Sequence, residues 1–113
     1  MTFQHKTLQE RWGQMSLAQQ MGNIGSEVSR ANFWHSKNDK EHTFNSVARA
    51  LELIYFTVES LQSLKRSPAL KEVLRVKEII VDYFIGNNEY NTDVNVLITY
   101  FNQFAMSAAL KKR

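Results

Sequence analysis

The sequence predicts an all-α protein, an antiparallel up-down-up-down four-helix bundle, and two observations indicate this fold. Apolar residues recur every three to four positions in four separate blocks, which is the spacing of amphipathic helices. Polar or turn-forming segments separate the blocks, and no stretch shows the alternation that is typical of a β-strand. Because the connections are short, consecutive helices should pack antiparallel.

The whole chain of 113 residues is expected to form one domain. Residues 1–15 should be an irregular or briefly helical lead-in, with Trp12 packed against the bundle. Residues 16–110 should form the bundle and residues 111–113 a basic tail. The four helices are predicted over residues 16–35, 43–64, 68–85 and 93–110.

The first bundle helix has a narrow apolar seam with small residues beside it. Ser16 and Gln19 have capping-box spacing at its start. The seam has heptad-type spacing and consists of Leu17, Met21, Ile24, Val28 and Ala31. The small residues beside it are Gly22, Gly25, Ser26 and Ser29. They predict either the close approach of another backbone or, since each glycine costs about 1 kcal/mol in a helix, a helix that is weak or kinked near Gly22.

The second helix follows the polar segment 35–42, with Asp39 or Thr43 as its N-cap. Its predicted core stripe comprises Phe44, Val47, Ala48, Leu51, Ile54, Tyr55, Val58 and Leu61. Leu53 and Phe56 point away from this stripe. They are therefore surplus apolar residues once one core is built.

The third helix is predicted to be the central one. Ser67 can cap it and Pro68 suits its first turn. Gly86 followed by two asparagines can end it, because glycine and asparagine tolerate the left-handed conformation. Its apolar side chains cover about two-thirds of the circumference, so more than one neighbouring helix should cover it. The arc includes Ile80 and Phe84, which are expected to be buried.

Lys77 lies inside that apolar arc and has two interpretations. A desolvated lysine with a lowered pKa could act as a base or a nucleophile. Alternatively, Lys77 buries its methylene stem and sends its ammonium group to the rim, or to Glu52 or Glu27. The second interpretation is favoured because nothing nearby resembles a substrate pocket.

Arg30 and His35 fit the spacing R-x4-H, which resembles the motif of HEPN-type helical ribonucleases. The resemblance implies an arginine and a histidine that serve RNA cleavage at a dimer interface. It covers two residues and lies on the first helix rather than late in the bundle. On a regular helix the two side chains also point about 140° apart.

A catalytic metal would need carboxylates that converge from several helices. Glu78 and Asp82 are one helical turn apart, and Glu52 could join them from the second helix. Glu-x-x-His pairs, which di-metal bundles use, do not occur in the sequence. The sequence therefore predicts no metal and no cofactor, with Glu52, Glu78 and Asp82 as the alternative site.

Charge and composition narrow the choice of partners. The net charge is +3, and because Lys111, Lys112 and Arg113 contribute +3, residues 1–110 sum to zero. Nucleic acid is thus a possible partner that the charge distribution does not favour. No run approaches the ~18 apolar residues of a membrane span, and the absence of cysteine suits a reducing cytoplasm.

The strings MGNIGSEVSRA, RALELI, LKEVLRVKE and DYFIGNNEY resemble a small all-helical microbial family of uncharacterised proteins, over residues 12–108. The resemblance implies a compact helical fold and brings no catalytic residues. The predicted function is a non-enzymatic interaction or assembly module in the cytoplasm, with an RNA- or nucleotide-directed hydrolase as the alternative. The predicted interaction surface is formed by surplus apolar residues that seek a second copy or a helical partner: Leu53, Phe56, Val96 and Tyr100.

Overall fold

The computed structural model describes residues 7–111 and confirms the all-α fold, with four bundle helices and a helical lead-in. No strand occurs within this range. Residues 1–6, and Lys112 and Arg113 of the predicted tail, lie outside it. The described part of the chain forms α1 (Leu8–Gly13), α2 (Leu17–Ser36), α3 (Lys40–Ser63), α4 (Ser67–Phe84) and α5 (Val94–Lys111).

Side-chain caps set the starts of α2 and α3. The Ser16 hydroxyl accepts the amide N–H of Gln19 and the Gln19 side chain accepts that of Ser16, so the predicted capping box is confirmed. Asp39 caps α3 by accepting the amide N–H of His42 at 3.0 Å. Helix α3 therefore begins at Lys40, earlier than the predicted residue 43.

The ends of α4 differ from the prediction. Ser67 is the first helical residue and not the cap, because the helix starts one residue earlier and Arg66 holds the cap position without a side-chain hydrogen bond. Gly86 does not adopt a left-handed conformation. That conformation falls on Asn88, at φ 52°, whose amide N–H reaches back to the Asp82 carbonyl at 3.0 Å.

The prediction that α4 is central is wrong, because α2 holds that position. Helix α2 packs against α3, α5 and, to a smaller extent, α4. Helix α4 buries Val73, Val76 and Ile80 alone, and Phe84 is partly buried. Its wide apolar arc exceeds the area that its neighbours cover, so part of the arc stays accessible.

Three of the four seams of the bundle are closed. Helix α2 packs against α3, α3 against α4, and α5 returns to pack against α2. Helices α4 and α5 are consecutive in the chain but scarcely touch. The fourth seam is therefore an open groove.

Two glycines let α5 approach α2 closely, so the first of the two interpretations of the small residues is correct. A Cβ atom built on Gly25 would lie 2.5 Å from Cβ of Phe101, and one on Gly22 would lie 3.2 Å from Cα of Ala105. Helix α2 stays continuous through both positions. Phe101 is buried in the space that the missing side chains leave.

Buried polar groups tie α1 and α2 to α3. The indole N–H of Trp12 donates to the Thr57 hydroxyl at 2.8 Å, and the Gln20 side chain donates to the Trp12 carbonyl at 2.9 Å. This confirms that Trp12 packs against the bundle. The predicted stripe on α3 was wrong at Phe44, Ala48 and Tyr55, which are exposed. Thr57 and other small or polar residues occupy the tight interface instead.

Among residues 7–111, no helix combines the length and the apolar character that crossing a membrane requires.

Gly25→Ala should destabilise the fold although alanine is the better helix former. The new Cβ would meet the Cβ of Phe101, which cannot swing away as the end of a flexible side chain can. We expect a net loss of about 1–2 kcal/mol in the free energy of unfolding, measured by urea titration. Gly13→Ala is the control, because a Cβ there meets nothing within 4 Å, and its stability should be unchanged or slightly raised.

Asp39 should make the stability of the fold depend on pH in the acidic range. The amide N–H of His42, and then its ring, hold the pKa of Asp39 below the usual value. This stabilisation is complete above the unfolded pKa of about 3.9 and is lost as the pH falls through the lower folded value. Asp39→Asn keeps a capping oxygen but does not titrate. Urea unfolding should show that the advantage of Asp39 over Asn shrinks between neutral pH and pH 3, and an unchanged difference would contradict this assignment.

Candidate functional site

The open seam forms an apolar groove, here called the α4/α5 groove, with a volume of about 440 Å³. Helix α4 provides one wall and α5, with the residues just before it, provides the other. Its lining residues are Glu72, Arg75, Val76, Ile79, Thr92, Asp93, Val96, Leu97 and Tyr100. The apolar side chains form the groove itself, and the charged ones lie along it.

The loop between α4 and α5 is ordered by the end of α4. The Asp82 carboxylate accepts the amide N–H groups of Glu89 and Tyr90 at 2.8 and 3.0 Å. The Asn88 side chain accepts the amide N–H of Thr92 at 2.8 Å. These bonds fold the loop back against the last turn of α4, and α5 then begins and packs against α2.

Helix α5 is apolar on more sides than its one packing partner covers. Residues 94–110 contain no charged side chain, yet Leu97 and Phe101 are its only buried residues. Val96, Met106 and Leu110 are 65%, 66% and 61% exposed. A helix that is apolar on most sides is normally covered, so this one is incompletely covered in a single chain.

Tyr100 connects the two walls of the groove. Its hydroxyl donates to the Glu72 carboxylate at 2.6 Å. Burial, and then the hydrogen bond and charge of Glu72, raise the pKa of Tyr100 well above its ordinary value. The phenol therefore stays neutral and keeps donating at physiological pH.

The four residues of the predicted interaction surface do not lie together. Val96 and Tyr100 line the α4/α5 groove. Phe56 lines a shallow crevice with Gln9 and Gly13 of α1 and is partly buried. Leu53 is partly buried against the core. The diagonal positions of α3 and α5 explain the separation, and α1 covers part of α3.

The other wall of the groove was missed by sequence reasoning. Val76 and Ile79 were assigned to the covered arc of α4, where periodicity alone cannot distinguish a buried side from an open one. The signal that could have found the groove is the lack of charge on α5, which exceeds what a helix with one packing partner needs.

The structure does not bring Arg30 and His35 into one cleft. Arg30 donates to the Glu27 carboxylate at 2.9 Å, on the side of α2 that faces α3. His35 lies beside Tyr83 and Phe84, with ring centroids 5.6 and 5.7 Å apart. It lines a pocket of about 380 Å³ at one end of the bundle, and Arg30 is absent from the residues that line it.

The three candidate metal ligands do not converge on one site: two of them accept hydrogen bonds from the protein, and the third lies on another helix. Asp82 is engaged by the loop amides, and Glu78 accepts the hydroxyl of Tyr90 at 3.2 Å. That bond raises the pKa of Tyr90. Glu52 is exposed on α3. Within residues 7–111 no group of three or more histidine or acidic side chains could hold a metal ion.

Lys77 is exposed, so it is not the desolvated lysine of the first interpretation. Among the described residues it makes no ion pair with Glu52 or Glu27, and the packing of its methylene stem stays a prediction. Its neighbours in a shallow depression on α4 include Leu74, Glu78 and Tyr90. The arc of α4 is uncovered on this side, so the lysine reaches water directly.

Tyr100→Phe should keep the groove's shape and remove the bond between its walls. Because Glu72 is exposed, we expect a loss of about 0.5–1 kcal/mol in the free energy of unfolding. The raised pKa stabilises the fold fully below the unfolded pKa of about 10, and this contribution is lost at higher pH. The difference between wild type and variant should therefore shrink at alkaline pH in urea titrations, and an unchanged difference would contradict it.

The chain has no match in three comparisons, with models of protein families, with curated proteins and with solved structures. The function of the groove therefore has to follow from its own geometry, polarity and charges.

Proposed function

We propose that this protein is a non-enzymatic assembly module that forms a homodimer through α5 and the α4/α5 groove. One observation carries the proposal: α5 has no charged residue from 94 to 110 but buries two side chains, Leu97 and Phe101. An exposed helix that avoids charge over this length is typical of an interface.

An uncharged stripe of α5, which begins with the groove residues Val96 and Tyr100, has the spacing of a helix-packing seam, and three of its five residues are apolar. Val96, Tyr100, Gln103, Ser107 and Leu110 follow at intervals of four, three, four and three. This spacing keeps one stripe facing a partner helix along the whole length of α5. Val76 and Ile79 extend the stripe onto α4, so a partner helix can lie between the two walls.

The charges along the groove favour a second copy as the occupant. Arg75 lies on one wall, and Glu72 and Asp93 offer carboxylates on the same surface. Among the described residues, Arg75 makes no ion pair. In a two-fold interface the same patch meets itself, so Arg75 of one copy can reach a carboxylate of the other.

The sequence adds a location to this proposal. The absence of cysteine from all 113 residues suits a reducing compartment, and we place the dimer in the cytoplasm. No cofactor or metal enters the proposed function.

Val96→Glu should separate the dimer without unfolding the chain. Val96 is 65% exposed in the single chain, so glutamate there stays solvated in the monomer and becomes an unpaired charge in the interface. We expect the Kd of the dimer to rise about tenfold or more. Sedimentation velocity across a micromolar concentration series measures this Kd.

Tyr55→Glu is the matched control, because Tyr55 is also largely exposed, at 59%, but lies on α3. Its sedimentation should equal that of the wild type, and circular dichroism should show unchanged helix content for both variants. A wild-type chain that stays monomeric at the highest concentration would overturn the proposal. Dissociation by Tyr55→Glu but not by Val96→Glu would do the same, because it would move the interface away from α5.

A further inference from the structure

A second exposed surface combines positive charge with an aromatic ring, on helices that do not form the groove. We call it the α2–α3 face and define it by Arg30, Phe33, Lys37 and Arg49. Arg30 and Phe33 of α2 and Lys37, its C-cap residue, follow at intervals of three and four, so they share one side of that helix and its end. All four are exposed.

One buried carboxylate positions the two arginines. Glu27 is 8% exposed and accepts Nη1 of Arg30 at 2.9 Å through one oxygen and Nε of Arg49 at 3.2 Å through the other. Arg49 also donates to the buried Ser46 hydroxyl at 3.4 Å. The two guanidinium groups thus lie on either side of one carboxylate and keep further N–H groups directed to solvent.

The aromatic part of the face is fixed by its neighbours. Phe33 is 52% exposed, with its ring 5.0 Å from Trp34 in an edge-to-face contact and the Lys37 ammonium group 5.5 Å from its centroid. Trp34 in turn stacks on His42 at 4.4 Å. The exposed ring is therefore held in place rather than free to fold back onto the protein.

The exposed charged residues of α2 and its C-cap on this side, Arg30 and Lys37, are both cations, and the next carboxylate along the chain, Asp39, is bound by the amide and the ring of His42. Glu27 is the one carboxylate in α2, and it is already neutralised by Arg30 and Arg49. The accessible side of α2 therefore offers an anionic partner two kinds of contact: guanidinium and ammonium groups for charge, and the Phe33 ring for a flat apolar surface. An acidic peptide would use the first and leave the second unused.

We propose that the α2–α3 face binds single-stranded nucleic acid. Arg30 and Arg49 hold a phosphate, since guanidinium groups match its oxygens. Phe33 stacks against a base, and Lys37 contacts the next phosphate. Stacking on an aromatic ring combined with a positive surface is how proteins bind single strands without reading their sequence. This binding is independent of the proposed dimer, which uses α4 and α5.

The test uses fluorescence anisotropy of labelled oligouridylate and oligothymidylate over a series of salt concentrations, with the full chain. Phe33→Ala should weaken binding about fivefold or more, because one stacked base is worth about 1–3 kcal/mol. Lys37→Gln should lower the salt slope by about 0.7, the value for one phosphate contact on a single strand. Neither Phe33 nor Lys37 takes part in the ion pairs of Glu27 with Arg30 and Arg49, so folding should be unaffected. Circular dichroism checks this.

The matched controls are Phe44→Ala and Lys77→Gln. Phe44 is 59% exposed on α3, and Lys77 is exposed on α4, so both change the same residue types at other places. Each should bind as the wild type does. Repeating the titration with Val96→Glu separates the two proposals, because that variant should lose the dimer and retain the affinity of each chain for a short oligonucleotide.

Three results would overturn the inference. The wild type would bind neither oligonucleotide at low salt, or the control variants would lose as much affinity as Phe33→Ala and Lys37→Gln. In the third, polyglutamate would displace the labelled oligonucleotide as well as an unlabelled oligonucleotide does, and Phe33→Ala would have no effect. That result would identify the face as a site for an acidic protein. The inference is supported if the wild type binds either oligonucleotide and Phe33→Ala and Lys37→Gln both weaken that binding. The oligonucleotide that binds more tightly shows whether the site prefers RNA or DNA.

Discussion

The contact between Gly25 and Phe101 is the constraint on which the rest of the architecture depends. Because position 25 has no side chain, a large aromatic ring of α5 lies directly against the backbone of α2. Gly22 and Ala105 repeat the close approach further along the same pair of helices. Helix α5 is therefore fixed on α2. The loop that Asp82 holds against the end of α4 precedes it, α4 and α5 scarcely touch, and the open groove is the consequence.

Polar residues that invite a catalytic interpretation hold backbones or helices in place in this fold. Asp82 binds loop amides, Asp39 caps α3, and Glu27 joins α2 to α3 through two arginines. In each case a carboxylate that a metal or a proton transfer could use is already satisfied by fixed donors. The chemistry of the described residues thus lies in the side chains that remain unsatisfied: the apolar side of α5 and the exposed cations beside Phe33.

The two proposed surfaces use different sides of the central helix. One side of α2 receives α5, and another presents Arg30, Phe33 and Lys37. A dimer formed through the α4/α5 groove would carry two α2–α3 faces, and two linked sites bind a long strand more tightly than one site does, provided that the strand can reach both. Assembly and strand binding are therefore compatible, and the first would strengthen the second without any new contact.

The sequence by itself determined the fold class, the number and the approximate ends of the bundle helices, and the docking of Trp12. These follow from apolar periodicity, caps and turn residues, which act within a few positions of the chain. Tertiary structure alone decided that α2 and not α4 is central, that Phe44 and Tyr55 are exposed while Thr57 is buried, and that Lys77 reaches water. It also decided that Val96 and Tyr100 share a groove from which Leu53 and Phe56 are absent. The physical reason is that an apolar arc records how much surface a helix must cover, whereas the helix that covers it depends on which backbones can approach closely, and here two glycines in α2 make that choice.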